Sequence, residues 1–275
     1  MTGFAVAFFA VTLPNAVVIR PVVNMYSQPS QDADVVSQAI YGANVGIVEQ
    51  QAEWARIRTA DDYTGWTPLA ALRPGQAYAA GEGAAEVASL FAHIYRETSV
   101  SQHAPLITLP FEARLEIAGE DAGGGWFETR LADGRVGWVQ AADVARHPAP
   151  LSVAEMLAFS KRFLGLPYTW GGTSSYGYDC SGFMQMLERR RGVRMPRDAQ
   201  PQAEWSGAAS VMRDRLQPGD LLYFGASEKH ITHTGMYLGD GKFINATTHE
   251  APMVRIDDLN DPHWSRLLVA MRRVK

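Results

Sequence analysis

His233-Thr-Gly-Met-Tyr-Leu-Gly-Asp-Gly-Lys-Phe-Ile-Asn245 reads as a strand, a tight turn and a returning strand, with a histidine on the first arm and an asparagine on the second. Register decides what the two can do together. A two-residue Asp240-Gly241 turn puts His233 and Asn245 on opposite faces of the hairpin. A three-residue Gly239-Asp240-Gly241 loop with a glycine in the left-handed region sets Asn245 opposite Gly235, on the face of His233 and diagonal to it. In the second arrangement the carboxamide oxygen accepts from the imidazole and fixes its tautomer, leaving the other ring nitrogen for a third group.

That third group is sought upstream. Asp179-Cys180-Ser181-Gly182 follows a loop, Gly171-Gly-Thr-Ser-Ser-Tyr-Gly177, and opens a helical pattern with Phe183, Met186 and Leu187 on one side and an end before Gly192. Cys180 is the single cysteine of the chain. A lone cysteine beside a helix is by default a small buried hydrophobe. Paired with a base and an orienter it becomes a nucleophile, and a helix start supplies both a positive potential to hold it ionised and backbone N–H groups for an oxyanion. One cysteine also excludes an internal disulfide framework and a cysteine-rich zinc site. His230 and His249 stand at no metal-ligand spacing from His233 and read as surface residues, so no metal and no cofactor is expected. Glu188-Arg189-Arg190-Arg191 reads as the wet end of the helix, its arginines where the dipole favours cations.

Around these motifs the order is helices, then strands. Ser152-Val-Ala-Glu155 is a capping box, and an apolar stripe from Val153 to Leu164 runs to Gly165 before Pro167. Segments near 220–224, 233–238, 242–245 and 267–271 are strand-like, an α+β arrangement. The first half carries an internal repeat instead. Trp54-Ala-Arg-Ile-Arg-Thr-Ala-Asp-Asp-Tyr-Thr-Gly-Trp66 recurs as Trp126-Phe-Glu-Thr-Arg-Leu-Ala-Asp-Gly-Arg-Val-Gly-Trp138, 72 residues on. Each copy is a hairpin around an Asp-containing turn closed by Gly-Trp, with Trp54, Trp66, Trp126 and Trp138 expected in small cores. Pro74-Gly75 and His147-Pro-Ala-Pro150 interrupt the pattern, giving three domains at 1–78, 79–148 and 149–275.

The chain has 275 residues, 47% hydrophobic and 20% charged, enough to bury several cores and incompatible with wholesale disorder. Its net charge of −4 provides no field for phosphate backbones, so nucleic acid is not an expected partner. Gly3–Leu13 is apolar but too short to span a bilayer and has no basic residue ahead of it. With Val17, Val18 and Ile19 it reads as buried β-structure, and no transmembrane segment is expected.

The repeated first half resembles a pair of bacterial SH3-type barrels. The second half resembles the NlpC-type cell-wall cysteine peptidases through Pro167-Tyr-Thr-Trp-Gly-Gly172, Asp179-Cys-Ser-Gly-Phe183, Pro196-Arg-Asp198, Gln217-Pro-Gly-Asp-Leu221 and the His233–Asn245 hairpin. The resemblance implies a multi-domain chain, two small all-β barrels followed by an α+β papain-like catalytic domain, that hydrolyses bacterial cell-wall peptides. It implies Cys180 as nucleophile and His233 as general base. The third polar position, often histidine in that family, is Asn245, which keeps an acceptor for the imidazole and removes a second titratable ring.

Tyr168 matches a tyrosine that lies beside the nucleophile and helps hold the scissile carbonyl. Barrels ahead of this domain, with Asp179, Ser181 and Asp198 around the nucleophile, resemble γ-D-glutamyl-L-diamino acid endopeptidases. The implied partner is a murein peptide, L-Ala-γ-D-Glu-diamino acid, recognised by its free amine in wall turnover and recycling. The first barrel is expected to add an acid and a tyrosine, for which Asp34 and Tyr63 are the candidates, Asp34 reading more readily as a solvated loop residue. A lytic endopeptidase on intact peptidoglycan and a non-catalytic wall-binding protein are the alternatives. A recycling role favours the cytoplasm; a leader ahead of the chain would direct it to the periplasm or outside.

Overall fold

A computed structural model describes residues 15–75 and 77–275; the reading of Gly3–Leu13 lies outside them. Seven strands form the first sheet: β1 (Asn15–Val18), β2 (Val22–Tyr26), β3 (Val35–Ile40), β4 (Asn44–Gln51), β5 (Trp54–Arg58), β6 (Thr64–Pro68) and β7 (Leu72–Pro74), in the order 3-2-6-5-4-1-7. The second sheet has β8 (Ala84–Val87), β9 (Phe91–Tyr95), β10 (Ile107–Pro110), β11 (Arg114–Glu120), β12 (Trp126–Arg130), β13 (Val136–Gln140) and β14 (Val144–Ala145), in the order 10-9-13-12-11-8-14. Adding seven to each label of the first order gives the second. Even the bulge between Ile47 and Glu49 on β4 has its counterpart between Ile117 and Gly119 on β11.

The repeated tryptophans depart from expectation. Only Trp66 is buried, at 8% exposure. On β5 it is Ala55 and Ile57 that point inward, so the alternation of the strand turns Trp54 outward, where it meets Tyr26 edge-on. Trp126 meets Tyr95 in the same way, and Trp138 is half-buried.

The remaining chain builds helices α1 (Val153–Ser160), α2 (Cys180–Arg190), α3 (Ala199–Glu204) and α4 (Pro262–Leu267). A short hairpin joins β15 (Thr173–Ser174) to β16 (Gly177–Tyr178). The main sheet is antiparallel: β17 (Ala208–Ser210), β18 (Leu221–Ser227), β19 (His230–Gly239), β20 (Lys242–Thr247), β21 (Met253–Asp258) and β22 (Leu268–Val274), in the order 17-22-18-19-20-21. The Ser152–Glu155 capping box starts α1 as expected. α2 packs across β19 and β20 with Phe183, Met184, Met186 and Leu187 fully buried. Among the described residues no helix is long and apolar enough to cross a membrane.

The helix end expected to be wet is instead a junction. Arg189 pairs with Glu112 of the turn between β10 and β11 and Arg190 with Glu86 of β8, while Glu188 is buried against Arg191. Phe111, which leads out of β10, enters the core of the third unit between Phe159 and Phe163. The sequence shows the arginines but not the acids brought to them from 70 to 100 residues away.

The β19–β20 hairpin resolves the register question in a way neither loop reading contained. The turn is the two-residue one: Gly239 pairs with Lys242, and Asp240 and Gly241 both have positive φ, 50° and 72°. The register then shifts between Tyr237 and Gly239, so that Tyr237 faces Phe243 and Met236 faces Ile244. This bulge inserts the one residue that a longer loop would have supplied, and Asn245 falls opposite Gly235. A side chain at 235 would meet Phe243 at 2.7 Å and the Asn245 Cβ at 3.1 Å. Gly235→Ala is therefore expected to destabilise the chain by about 1–3 kcal/mol through overpacking, read as a lowered urea midpoint at unchanged slope. A midpoint equal to that of the parent chain would show that the hairpin yields without cost.

Candidate active site

α2 places Cys180 at its first position, and Asp179 caps it, accepting the Gly182 N–H at 2.7 Å. Cys180 is buried, at 8% exposure, and the backbone N–H groups of Thr234 on β19 and of Ser181 lie close enough to favour its ionised form against that burial. Thr234 follows His233 in the chain, so the sulfur lies against the backbone that carries the imidazole. His233 Nε2 stands 2.8 Å from Asn245 Oδ1. Asn245 is fully buried, and its amide nitrogen donates to the Asp257 carboxylate at 2.8 Å. Asp257 in turn pairs with Arg255 at 2.8 Å.

This chain of bonds sets the tautomer. An ionised carboxylate only accepts, so Asn245 must turn its NH₂ to Asp257 and its oxygen to the ring; the ring must then donate from Nε2, and Nδ1 carries the free lone pair. Sequence reasoning missed Asp257. Its signal was available, since a strand after β20 would bring 257 beside 243 and 245, but Met253–Asp258 was not read as a strand.

Electrostatics correct the expectation of an ionised sulfur. Burial pushes the Cys180 thiol up to about 12, and the Asp179 carboxylate adds to the effect. Burial likewise pulls the His233 imidazole down to about 4, against the Asn245 bond that favours its protonation. Each group is thus neutral on its own, chiefly through burial, and for the sulfur the acid that already occupies the helix start adds to the effect.

That acid is not free to meet a ligand. Arg197, 3% exposed, donates to Asp179 Oδ1 at 3.0 Å and Oδ2 at 2.6 Å, to Ser181 Oγ at 2.9 Å and to Ser37 Oγ at 3.1 Å. Asp198 differs. Burial raises its carboxyl above the ordinary aspartate value, opposed by Arg197 and by the Tyr63 hydroxyl, which donates to Oδ2 at 3.0 Å. The structure therefore joins Tyr63 of the first sheet to Asp198 across 135 residues. Tyr168 is half-buried and near Cys180 and Asp179, and among the described residues its phenol has no hydrogen-bond partner. Asp34 does not join the group: it is exposed and its carboxylate makes no hydrogen bond, although Val35 beside it packs on Gly171. No metal-holding cluster occurs among the described residues.

Two expected outcomes follow from this geometry. Arg197→Met leaves Asp179 and Ser181 buried without their donor and should cost about 3–5 kcal/mol in an unfolding titration; a loss below 1 kcal/mol would mean that water replaces the guanidinium. If His233 serves as base, its lowered pKa keeps the neutral form available as pH falls. The acid limb of kcat/KM should then lie below the ordinary histidine value of about 6.5, and a limb at or above it would contradict the burial argument.

Both halves of the chain have counterparts among known proteins. Residues 165–273 match the NlpC/P60 family and residues 25–72 match the bacterial dipeptidyl-peptidase SH3 domain. The chain is 30% identical over 254 residues to a γ-D-glutamyl-L-lysine dipeptidyl-peptidase of Bacillus cereus, covering 86% of this chain and 74% of that protein. It is 27% identical to dipeptidyl-peptidase 6 of Lysinibacillus sphaericus, covering 90% and 93%. The crystal structure of an NlpC/P60 family protein from Bacillus cereus superposes with a TM-score of 0.81 at 24% identity, covering 94% of this chain and 99% of that one.

Proposed function

This chain belongs to the NlpC/P60 family, and we propose that it cleaves the bond between the γ-carboxyl of D-Glu and a diamino acid in murein peptides that begin with a free L-Ala. The observation that carries the substrate end of this reading is the Tyr63–Asp198 bond. A partly desolvated carboxylate held by a neutral hydroxyl is a site that gains from an ammonium group, whose lost hydration needs charge-assisted acceptors. Ser181 Oγ adds a further acceptor, and Asp34 is an exposed acid beside Val35, which packs on Gly171. Asp179, saturated by Arg197, has a positioning role here rather than a direct one.

In the reaction the Cys180 sulfur attacks the γ-carbonyl carbon while its proton passes to His233 Nδ1, so that the buried ions form only as a pair and only during attack. Collapse of the tetrahedral adduct breaks the C–N bond, and His233 gives the proton to the leaving amine. Water then attacks the thioester, with His233 taking its proton and returning one to the sulfur. Tyr168, its phenol kept neutral by burial, is suited to donate to the carbonyl oxygen. The relatives' names, γ-D-glutamyl-L-lysine dipeptidyl-peptidase and dipeptidyl-peptidase 6, agree with release of an N-terminal dipeptide.

The 72-residue repeat and the matching strand orders support reading 1–78 and 79–148 as two SH3-type barrels ahead of a papain-like domain at 149–275. The first of these belongs to the site, through Tyr63, as much as the domain that carries the sulfur.

Product analysis on L-Ala-γ-D-Glu-L-Lys and its N-acetylated form tests the reading. Turnover of the free amine, loss of at least about tenfold in kcat/KM on acetylation, and abolition by Cys180→Ala are expected. Equal rates on the two peptides would remove the amine site, and release of peptides from intact peptidoglycan at the same rate would favour a lytic enzyme instead.

A further inference from the structure

Besides Asn245, two aromatic rings pack on His233. Trp264 of α4 stacks on it with centroids 5.0 Å apart, and Phe224 lies 5.7 Å away on the neighbouring strand. Trp264 also presents its ring edge-on to two more imidazoles, His249 at 5.4 Å and His263 at 4.7 Å. These two lie face to face, 3.8 Å between centroids and 4° between planes. His249, a surface residue on the sequence reading, comes from the loop between β20 and β21 and meets a partner 14 residues on.

Both rings are half-exposed, and among the described residues none of their four nitrogens has a hydrogen-bond partner. The acids around them are engaged elsewhere. Asp257 holds Asn245 and Arg255, Glu250 also holds Arg255, and Asp261 caps α4. Arg266 adds positive charge from the last turn of α4. Burial, His249 and Arg266 pull the His263 imidazole below its ordinary value, so the rings offer in-plane N–H donors and the Arg266 guanidinium supplies the positive charge beside them. Such a surface suits one carboxylate.

The reaction says which carboxylate comes there. The imidazole that protonates the leaving amine must touch it, so the diamino acid lies on the His233 flank of the cleft, and the L-Ala end lies toward Asp198 and Tyr63. The loop bearing His249 is tied to the site by the Tyr168 N–H, which donates to Pro252 at 2.9 Å. We propose that the His249–His263 stack is the subsite for a carboxylate of the leaving diamino acid. This carboxylate is either the α-carboxylate or the side-chain carboxylate of a diaminopimelate. The inference rests on the peptidase reading above and extends it to the leaving side.

The test uses the whole chain and variants His249→Phe and His263→Phe, which keep an aromatic stack and remove the donors. Three peptides separate the sources: L-Ala-γ-D-Glu-L-Lys, its C-terminal amide, and the meso-diaminopimelate peptide amidated at the α-carboxyl. The parent chain should prefer a carboxylate-bearing peptide over the lysine amide, and each variant should lose that preference by about tenfold or more, through KM, with the lysine amide unaffected. A loss on the lysine free acid assigns the α-carboxylate; a loss on the diaminopimelate peptide assigns the side chain.

Melting temperature and the rate of Cys180 alkylation should not change in the variants. Equal losses on all three peptides, or an undiminished preference in both variants, would overturn the subsite. If the parent chain cleaves none of the peptides, the proposed function falls and the subsite with it; if it cleaves them and the variants keep its preference, only the subsite falls.

Discussion

One inserted residue on β19 determines whether this molecule has a site at all. Strands alternate faces with a period of two, so the tight Asp240-Gly241 turn alone would send Asn245 to the side of the sheet away from His233. The bulge at Leu238 absorbs a single position and restores the shared face. Gly235 then leaves the space into which the Asn245 side chain reaches. β21 adds Asp257 beneath, and the orientation of one carboxamide fixes which imidazole nitrogen is free. A backbone irregularity thus governs a proton position several bonds away.

A second constraint comes from burial of charge. The Arg197 guanidinium sits almost wholly out of water with four donor contacts, and these reach the cap of α2, the serine after the sulfur and a serine of the first sheet. Breaking such a cluster leaves unpaired charge in a medium that solvates it badly. The cluster therefore makes the first sheet part of the machinery rather than an appendage. Gln185 with Asp61, Thr173 with Gln38 and Tyr63 with Asp198 repeat the same logic along one seam.

The electrostatic state of the sulfur follows from the same burial. A helix start is a favourable place for an anion, but a carboxylate already caps this one, and the sulfur is buried. The neutral pair is what a buried site permits, and in the proposed reaction charge separation is deferred to the step in which an oxyanion, an imidazolium and fixed donors can compensate one another. Stacking of His233 on Trp264 holds the ring plane while this happens.

Local signals in the chain carried a good deal. The capping box at Ser152, the start of α2 at Cys180, the paired strands about Gly239–Gly241 and the doubled Trp…Gly-Trp segment all follow from nearest-neighbour chemistry, and they formed as residue types and spacing required. What pattern reading could not reach was whatever depends on distant partners or on a count of one. It mistook the facing of Trp54, the company of Arg189 and Arg190 and the charge on the sulfur, and it passed over Asp257 and the ring that stacks on His249. The sequence by itself determined which elements form and which chemical groups exist. Only the tertiary structure decided which of those groups share a face, a dielectric and a partner, because register, burial and long-range pairing are properties of how elements pack and not of any segment alone.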